Sequence, residues 1–135
     1  MNYGEQNTSK VHIWVGINFE KDYEEYFELD YREDVEIGDL DYKICGFCKD
    51  IGGVFYDEDW IGYTQHSQEM DLDILINQDE LSVTEETITK IREVCIERGV
   101  EKANAVFWYY DGDVMINDKE KIYNKLTYIG MFDAI

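Results

Sequence analysis

The sequence predicts an α+β fold: one domain built on a mainly antiparallel sheet with helices packed on it. Three observations predict it. Two segments, Val11–Ile17 and Ala103–Tyr110, are apolar on both alternating faces, as strands near the middle of a covered sheet must be. One long segment, about Val83 to Arg98, has helical periodicity with signals at both ends. No repeat, linker or low-complexity tract divides the 135 residues, a length that fits a single domain.

Taken in order, residues 1–10 are polar and predict a frayed start. In the first strand Val11, Ile13, Val15 and Ile17 point one way and His12, Trp14 and Gly16 the other, which makes His12 a hydrogen-bonded core residue. Glu20–Tyr31 reads as a helix: Tyr23, Tyr26, Phe27 and Tyr31 share a broad face, Asp30 falls inside that arc, and Glu24, Glu25 and Glu28 lie opposite. Residues 31–41 are acidic and irregular and predict an exposed loop. Tyr42–Ile51 predicts a short helix closed by Gly52 and Gly53. Phe55–Gln65 is aromatic-rich and extended, broken around Asp57–Asp59. Met70, Leu72, Ile74 and Ile76 alternate with polar residues, which favours a strand over a helical turn.

In the long helix Ser82 and Glu85 have capping-box spacing, and Ile88, Ile91 and Cys95 form the buried stripe, flanked by Val94 and Ile96. Glu86, Lys90, Glu93 and Glu97 face water, and Gly99 ends it. After the second double-faced strand, Asp111-Gly112 predicts a tight hairpin into Val114–Ile116. Leu126–Phe132 is a last strand.

Composition narrows the function. With 44% hydrophobic and 15% aromatic residues the chain folds, despite a net charge of −19. That charge is uneven: residues 1–80 carry 21 acidic against 5 basic side chains, a net of −16, whereas residues 81–135 carry 10 against 7, a net of −3. A directed negative field repels nucleic acid and anionic membrane and attracts basic partners. A solvated acidic face with no partner is the competing explanation. The chain shows no secretory signal and no run of membrane-spanning length, and three cysteines is an odd number, so reduced thiols in the cytoplasm are expected.

Few motifs point to catalysis. Cys45-Gly-Phe-Cys48 has the spacing of a redox pair, but Gly52-Gly53 ends any helix too early and the chain has no proline to set against the pair, so two small apolar residues on a helix face is the preferred reading. His12, His66 and Cys95 are solitary and supply no zinc spacing. Asp57-Glu58-Asp59-Trp60 fails as a calcium loop, because Ile61 and Gln68 fall where oxygen ligands are needed. As a binding element it offers carboxylates for Arg or Lys beside an aromatic anchor; alternatively it is an acidic turn whose Trp60 enters the core. No cofactor is implied.

The sequence resembles the immunity protein 22 family of bacterial polymorphic toxin systems. The likeness lies in His12-Ile13-Trp14-Val15-Gly16, Tyr26-Phe27-Glu28-Leu29-Asp30-Tyr31, Phe47-Cys48-Lys49-Asp50-Ile51-Gly52, Tyr56-Asp57-Glu58-Asp59-Trp60-Ile61-Gly62, Lys102-Ala103-Asn104-Ala105 with Phe107-Trp108-Tyr109, and Tyr128-Ile129-Gly130-Met131-Phe132. It covers roughly Val11 to Asp133, and none of its blocks is a catalytic signature. The resemblance implies a non-enzymatic protein that binds and neutralises a cognate toxin inside the producing cell; it identifies no contact residues. The charge adds that the toxin is basic, a nuclease being the class with a suitable cleft. The expected contact surface comprises Glu24, Glu25, Glu28, Asp30, Tyr31, Asp57, Glu58, Asp59 and Trp60. Two other readings stand beside it: a small metal-dependent hydrolase using Asp57, Glu58 and Asp59, and an acidic nucleic-acid mimic that inhibits a nuclease.

Overall fold

The computed structural model describes residues 7–77 and 81–134. Five strands form one antiparallel sheet: β1 (Lys10–Gly16), β2 (Ile61–Asp71), β3 (Lys102–Tyr109), β4 (Ile122–Tyr123) and β5 (Leu126–Asp133), in the order β2-β3-β1-β5-β4. The two strands read as double-faced, β1 and β3, lie at the interior of the sheet, with β1 in the middle. Three helices accompany them: α1 (Gly46–Ile51), α2 (Leu72–Leu75) and α3 (Glu85–Glu97), with short 3-10 helices at Tyr23–Phe27 and Glu58–Trp60. This is the α+β architecture the sequence predicts.

Each sheet face has its own core, and the alternation in β1 assigns them. Val11, Ile13 and Val15 pack with Leu72, Leu75, Ile88, Ile91 and Cys95 under α2 and α3. Trp14 points the other way, into an aromatic core with Phe27, Phe47, Phe107, Tyr109 and Tyr128. There Trp14 stacks on Phe107 with centroids 4.6 Å apart, and Phe47 meets Trp14 edge-on at 5.6 Å. Offset stacks and edge contacts are the arrangements aromatic quadrupoles favour. His12 is buried as expected: its Nε2–H donates to the Asp111 carbonyl at 2.9 Å, leaving Nδ1 to accept from the Tyr128 hydroxyl at 2.8 Å.

Four expectations are corrected. The helix expected over Glu20–Tyr31 is only the 3-10 turn Tyr23–Phe27, and the chain is extended again at Glu28. Aromatics are modest helix formers, and Glu24 and Glu28 repel at i,i+4, so packing of Tyr23 and Phe27 on the sheet outweighs helix propagation. The hairpin expected from Asp111-Gly112 does not form, because β3 already pairs with β2 on one edge and β1 on the other. The actual hairpin joins β4 and β5 through Asn124 and Lys125, both at positive φ. The N-cap of α3 is Thr84, whose hydroxyl accepts from the Thr87 amide, and not Ser82; Val83 before it and Ile88 inside it are both buried in the same core. At the start of the chain, residues 1–6 lie outside the described residues, while residues 7–10 are held: the Asn7 carbonyl accepts from Gly112 and the Ser9 carbonyl from Ala134.

Smaller differences concern boundaries. The helix placed at Tyr42–Ile51 starts at Gly46, where the Cys45 sulfur caps it, and it ends where expected, at Gly52 with φ 81°. Beyond Asp71 the alternating segment turns into the one-turn helix α2. Ile96 on the flank of α3 is exposed, whereas Thr87 joins the buried stripe.

A polar knot inside the sheet fixes the chain leaving β1. Asn104 is fully buried, accepts from the Asn18 amide at 2.7 Å, and donates to the carbonyls of Asn18 at 2.7 Å and His66 at 2.9 Å. The His66 carbonyl belongs to a bulge in β2, between Gln65 and Met70, where the ladder with β3 is interrupted. One side chain thus satisfies the backbone at two irregularities that the sheet cannot satisfy.

Candidate functional site

Beyond Asn18 the chain crosses the aromatic face and is pinned there at several points. Gln65 Nε2 donates to the carbonyls of Asn18 and Glu20, the Tyr23 hydroxyl to the Val106 carbonyl, and the Tyr56 hydroxyl to the Phe27 carbonyl. Phe27 stacks on Tyr63 of β2 with centroids 4.3 Å apart and planes within 5°. Because Tyr23 and Phe27 are turned inward, Glu24, Glu25 and Glu28 are turned out. The Tyr26 hydroxyl donates to Asp50 at 2.7 Å, which ties this turn to α1, and Lys121 pairs with the same carboxylate.

The second acidic segment is placed from the opposite direction. The Asp57 amide donates to the Tyr109 hydroxyl at 3.0 Å, and the Asp57 carboxylate accepts from the Asp59 amide, turning the chain through Glu58–Trp60 into β2. Glu58 then accepts the Tyr31 hydroxyl at 2.5 Å. This carboxylate holds the Tyr31 phenol above its usual range, at about 12.

A groove of about 530 Å³ results, with Glu24, Glu25, Glu28 and Glu58 around it, Phe27, Tyr31, Tyr56 and Tyr63 in its walls, and Lys21 as its basic residue. Two further grooves share Tyr31 with it. One, of about 630 Å³, runs along Glu25, Glu28, Leu29 and Cys45; the other, of about 470 Å³, is lined by Val35, Ile37, Tyr42 and Phe55 beside Glu58. Tyr31, Ile37, Phe55 and Tyr63 are all exposed large hydrophobic residues. The surface therefore combines apolar anchors with a carboxylate margin, the composition of a protein-binding patch.

The expected contact residues divide into three groups. Glu24, Glu25, Glu28, Tyr31 and Glu58 converge on one groove. Asp30 does not present its carboxylate: the side chain is 3% exposed, accepts from Arg32 Nε and Nη2 at 2.9 and 2.7 Å, and accepts from the Lys43 amide at 3.0 Å. The Arg32 hydrogen bonds first, and the Lys43 amide next, hold its carboxyl well below the usual range. Asp57, Asp59 and Trp60 do not line the groove. Trp60 is 38% exposed and lies edge-on to Tyr110, whose ring packs at the margin of the helix-covered core. Sequence reasoning missed Tyr63, though its place two residues beyond Ile61 on an alternating aromatic strand is a usable signal.

The chemistry available elsewhere is limited. Among the described residues no three His, Cys, Asp or Glu side chains stand close enough to share a metal ion, so Asp57, Glu58 and Asp59 do not converge. The Cys45 and Cys48 sulfurs are 3.2 Å apart, and all three cysteines are free and buried. The hydrogen bond to Cys48 and the amides at the start of α1 pull the Cys45 thiol down to about 7, whereas the same bond and burial push Cys48 up. No described helix is long and apolar enough to cross a membrane.

Fold and surface together define a small α+β protein with an acidic, aromatic-walled groove on the sheet face opposite α3. The chain belongs to the Immunity protein 22 family, whose model matches residues 11–134, nearly the whole length. No curated protein and no solved structure matches it.

Proposed function

We propose that this chain is a non-enzymatic immunity protein that binds and neutralises a cognate toxin in the cytoplasm of the cell that makes it. The contact is the face built by Glu24, Glu25, Glu28, Tyr31 and Glu58. Membership of the immunity family supports a toxin as partner. The observation that carries the choice of face is the meeting of two distant acidic segments over exposed aromatics, made by the Tyr31–Glu58 hydrogen bond. Carboxylates there attract a basic surface at long range, while Tyr31, Tyr63 and Phe55 supply area to bury on contact. A basic cleft is what a nuclease needs for phosphate, so a nuclease toxin is the class that fits.

The cognate toxin domain, produced in a test host with and without this chain, examines the proposal. Co-expression should restore growth, and the purified pair should elute as one complex. Replacing Glu24, Glu25 and Glu28 by Gln should reduce both protection and complex formation. A chain that protects without forming a complex, or that acts catalytically on the toxin, would overturn the reading.

A further inference from the structure

Building on the toxin-binding reading, we infer that the partner adds a β-strand to the free edge of β2, a strand carrying Lys or Arg at alternate positions. β2 ends the sheet, and among the described residues nothing pairs with its outer edge. At the opposite side β4 covers only Leu126 and Thr127 of β5, so β5 has an open stretch as well, but it is β2 whose edge borders the acidic groove, through Ile61 and Tyr63. Long edges are ordinarily guarded by charge, proline or a covering element. The far half of β2 has such guards, a bulge after Gln65 and the acids Glu69 and Asp71, but its first five residues, Ile61-Gly-Tyr-Thr-Gln65, hold no charged side chain and pair regularly with β3.

The two sides of this edge dictate the pattern of the incoming strand. Ile61 and Tyr63 face the groove ringed by Glu24, Glu28 and Glu58. Residues of an added strand on that side hang over carboxylates and are matched by Lys or Arg. Gly62 faces the other side, where a Cβ would come within 2.3 Å of the Trp108 indole, so the strand is flat there beside an aromatic ring. Small or apolar residues fit that side. A second copy of this chain is the wrong occupant, because pairing two β2 edges would bring together two acidic grooves on molecules of net charge −19.

Amide hydrogen exchange on the full chain, free and bound to its cognate toxin domain, tests the inference. The outward amides within Ile61–Gln65 should slow about tenfold or more on binding. Semisynthetic chains carrying an N-methyl group on the Tyr63 or the Thr64 amide form a second test, since successive amides point to opposite edges and both side chains are kept. The variant that keeps the wild-type melting temperature has lost the outward amide, and it should weaken the complex about tenfold or more. A complex that is weakened by Glu24, Glu25 and Glu28 neutralisation, yet leaves these amides unprotected and tolerates both N-methyl groups, overturns strand addition and keeps the toxin-binding reading. Failure of any complex to form overturns both. A dimer of the free chain with the same amides already protected assigns the edge to a second copy and also overturns the inference.

Discussion

The phenol of Tyr31 donates to the carboxylate of Glu58 across 27 residues of sequence, at 2.5 Å. Both residues are exposed, so this bond adds little to stability, but it sets the width of the groove between the Tyr23–Phe27 turn and the Glu58–Trp60 turn. Tyr31→Phe and Glu58→Gln should each change unfolding free energy by less than about 1 kcal/mol in urea titrations. Both should nonetheless speed dissociation of the toxin complex. A variant that lost stability and left dissociation unchanged would assign the bond to the fold.

Asn104 is expected to matter far more for folding than any carboxylate on the face. Its replacement by Ala leaves the Asn18 amide and the His66 carbonyl without their buried partner, and the Asn18 carbonyl with Gln65 alone. A loss of about 2–4 kcal/mol follows, read as a lower urea midpoint with an unchanged slope. Asn104→Asp should be at least as damaging, since Asp cannot donate to either carbonyl.

How legible this was in the sequence can be judged from such residues. β1 and β3 were readable because both of their faces are apolar, and β5 and α3 because their burial is periodic; three of the resemblance blocks fell on β1, β3 and β5. Asn104 was not, because its partners are irregular backbone brought in from Asn18 and His66, which no local pattern reports. The face was readable in part. Glu24, Glu25 and Glu28 were found as outward acids, yet through a helix that is a 3-10 turn. Asp30 was counted as a contact although its carboxylate closes the following loop onto Arg32 and Lys43. Trp60 was grouped with the acids next to it in sequence, whereas the 3-10 turn Glu58–Trp60 carries it toward Tyr110.

His12 gives the protein a pH dependence of defined sign. Burial, only partly offset by its hydrogen bond to Asp111, lowers its pKa below the ordinary 6.5. The unfolded chain therefore binds the proton first as pH falls. The contribution of neutral His12 is complete above about pH 6.5 and is lost as pH drops through the lowered value. The melting temperature should fall from about pH 7 to about pH 5.5, and His12→Gln should show a smaller fall over the same interval. Equal slopes would mean that other groups set the acid limb.

The cysteine pair should behave as packing with one reactive member. All three thiols should titrate as free in denatured protein prepared anaerobically without reductant. Cys45 should alkylate first near neutral pH, its thiol being held at about 7. Replacing Cys45 and Cys48 together by Ala removes buried sulfur and the cap of α1, at a cost of about 1–3 kcal/mol. Protection of the host should change less than stability. Lost protection at an unchanged melting temperature would point to thiol chemistry instead.

Association kinetics decide whether the acidic face meets the toxin. Stopped-flow mixing with the cognate toxin domain over a range of salt concentrations should show fast association that slows as salt rises. Replacing Glu24, Glu25 and Glu28 by Gln should slow association roughly tenfold at low salt and flatten the salt dependence, with dissociation little altered. Association that is independent of salt, or rates governed chiefly by substitutions after residue 81, would contradict the account.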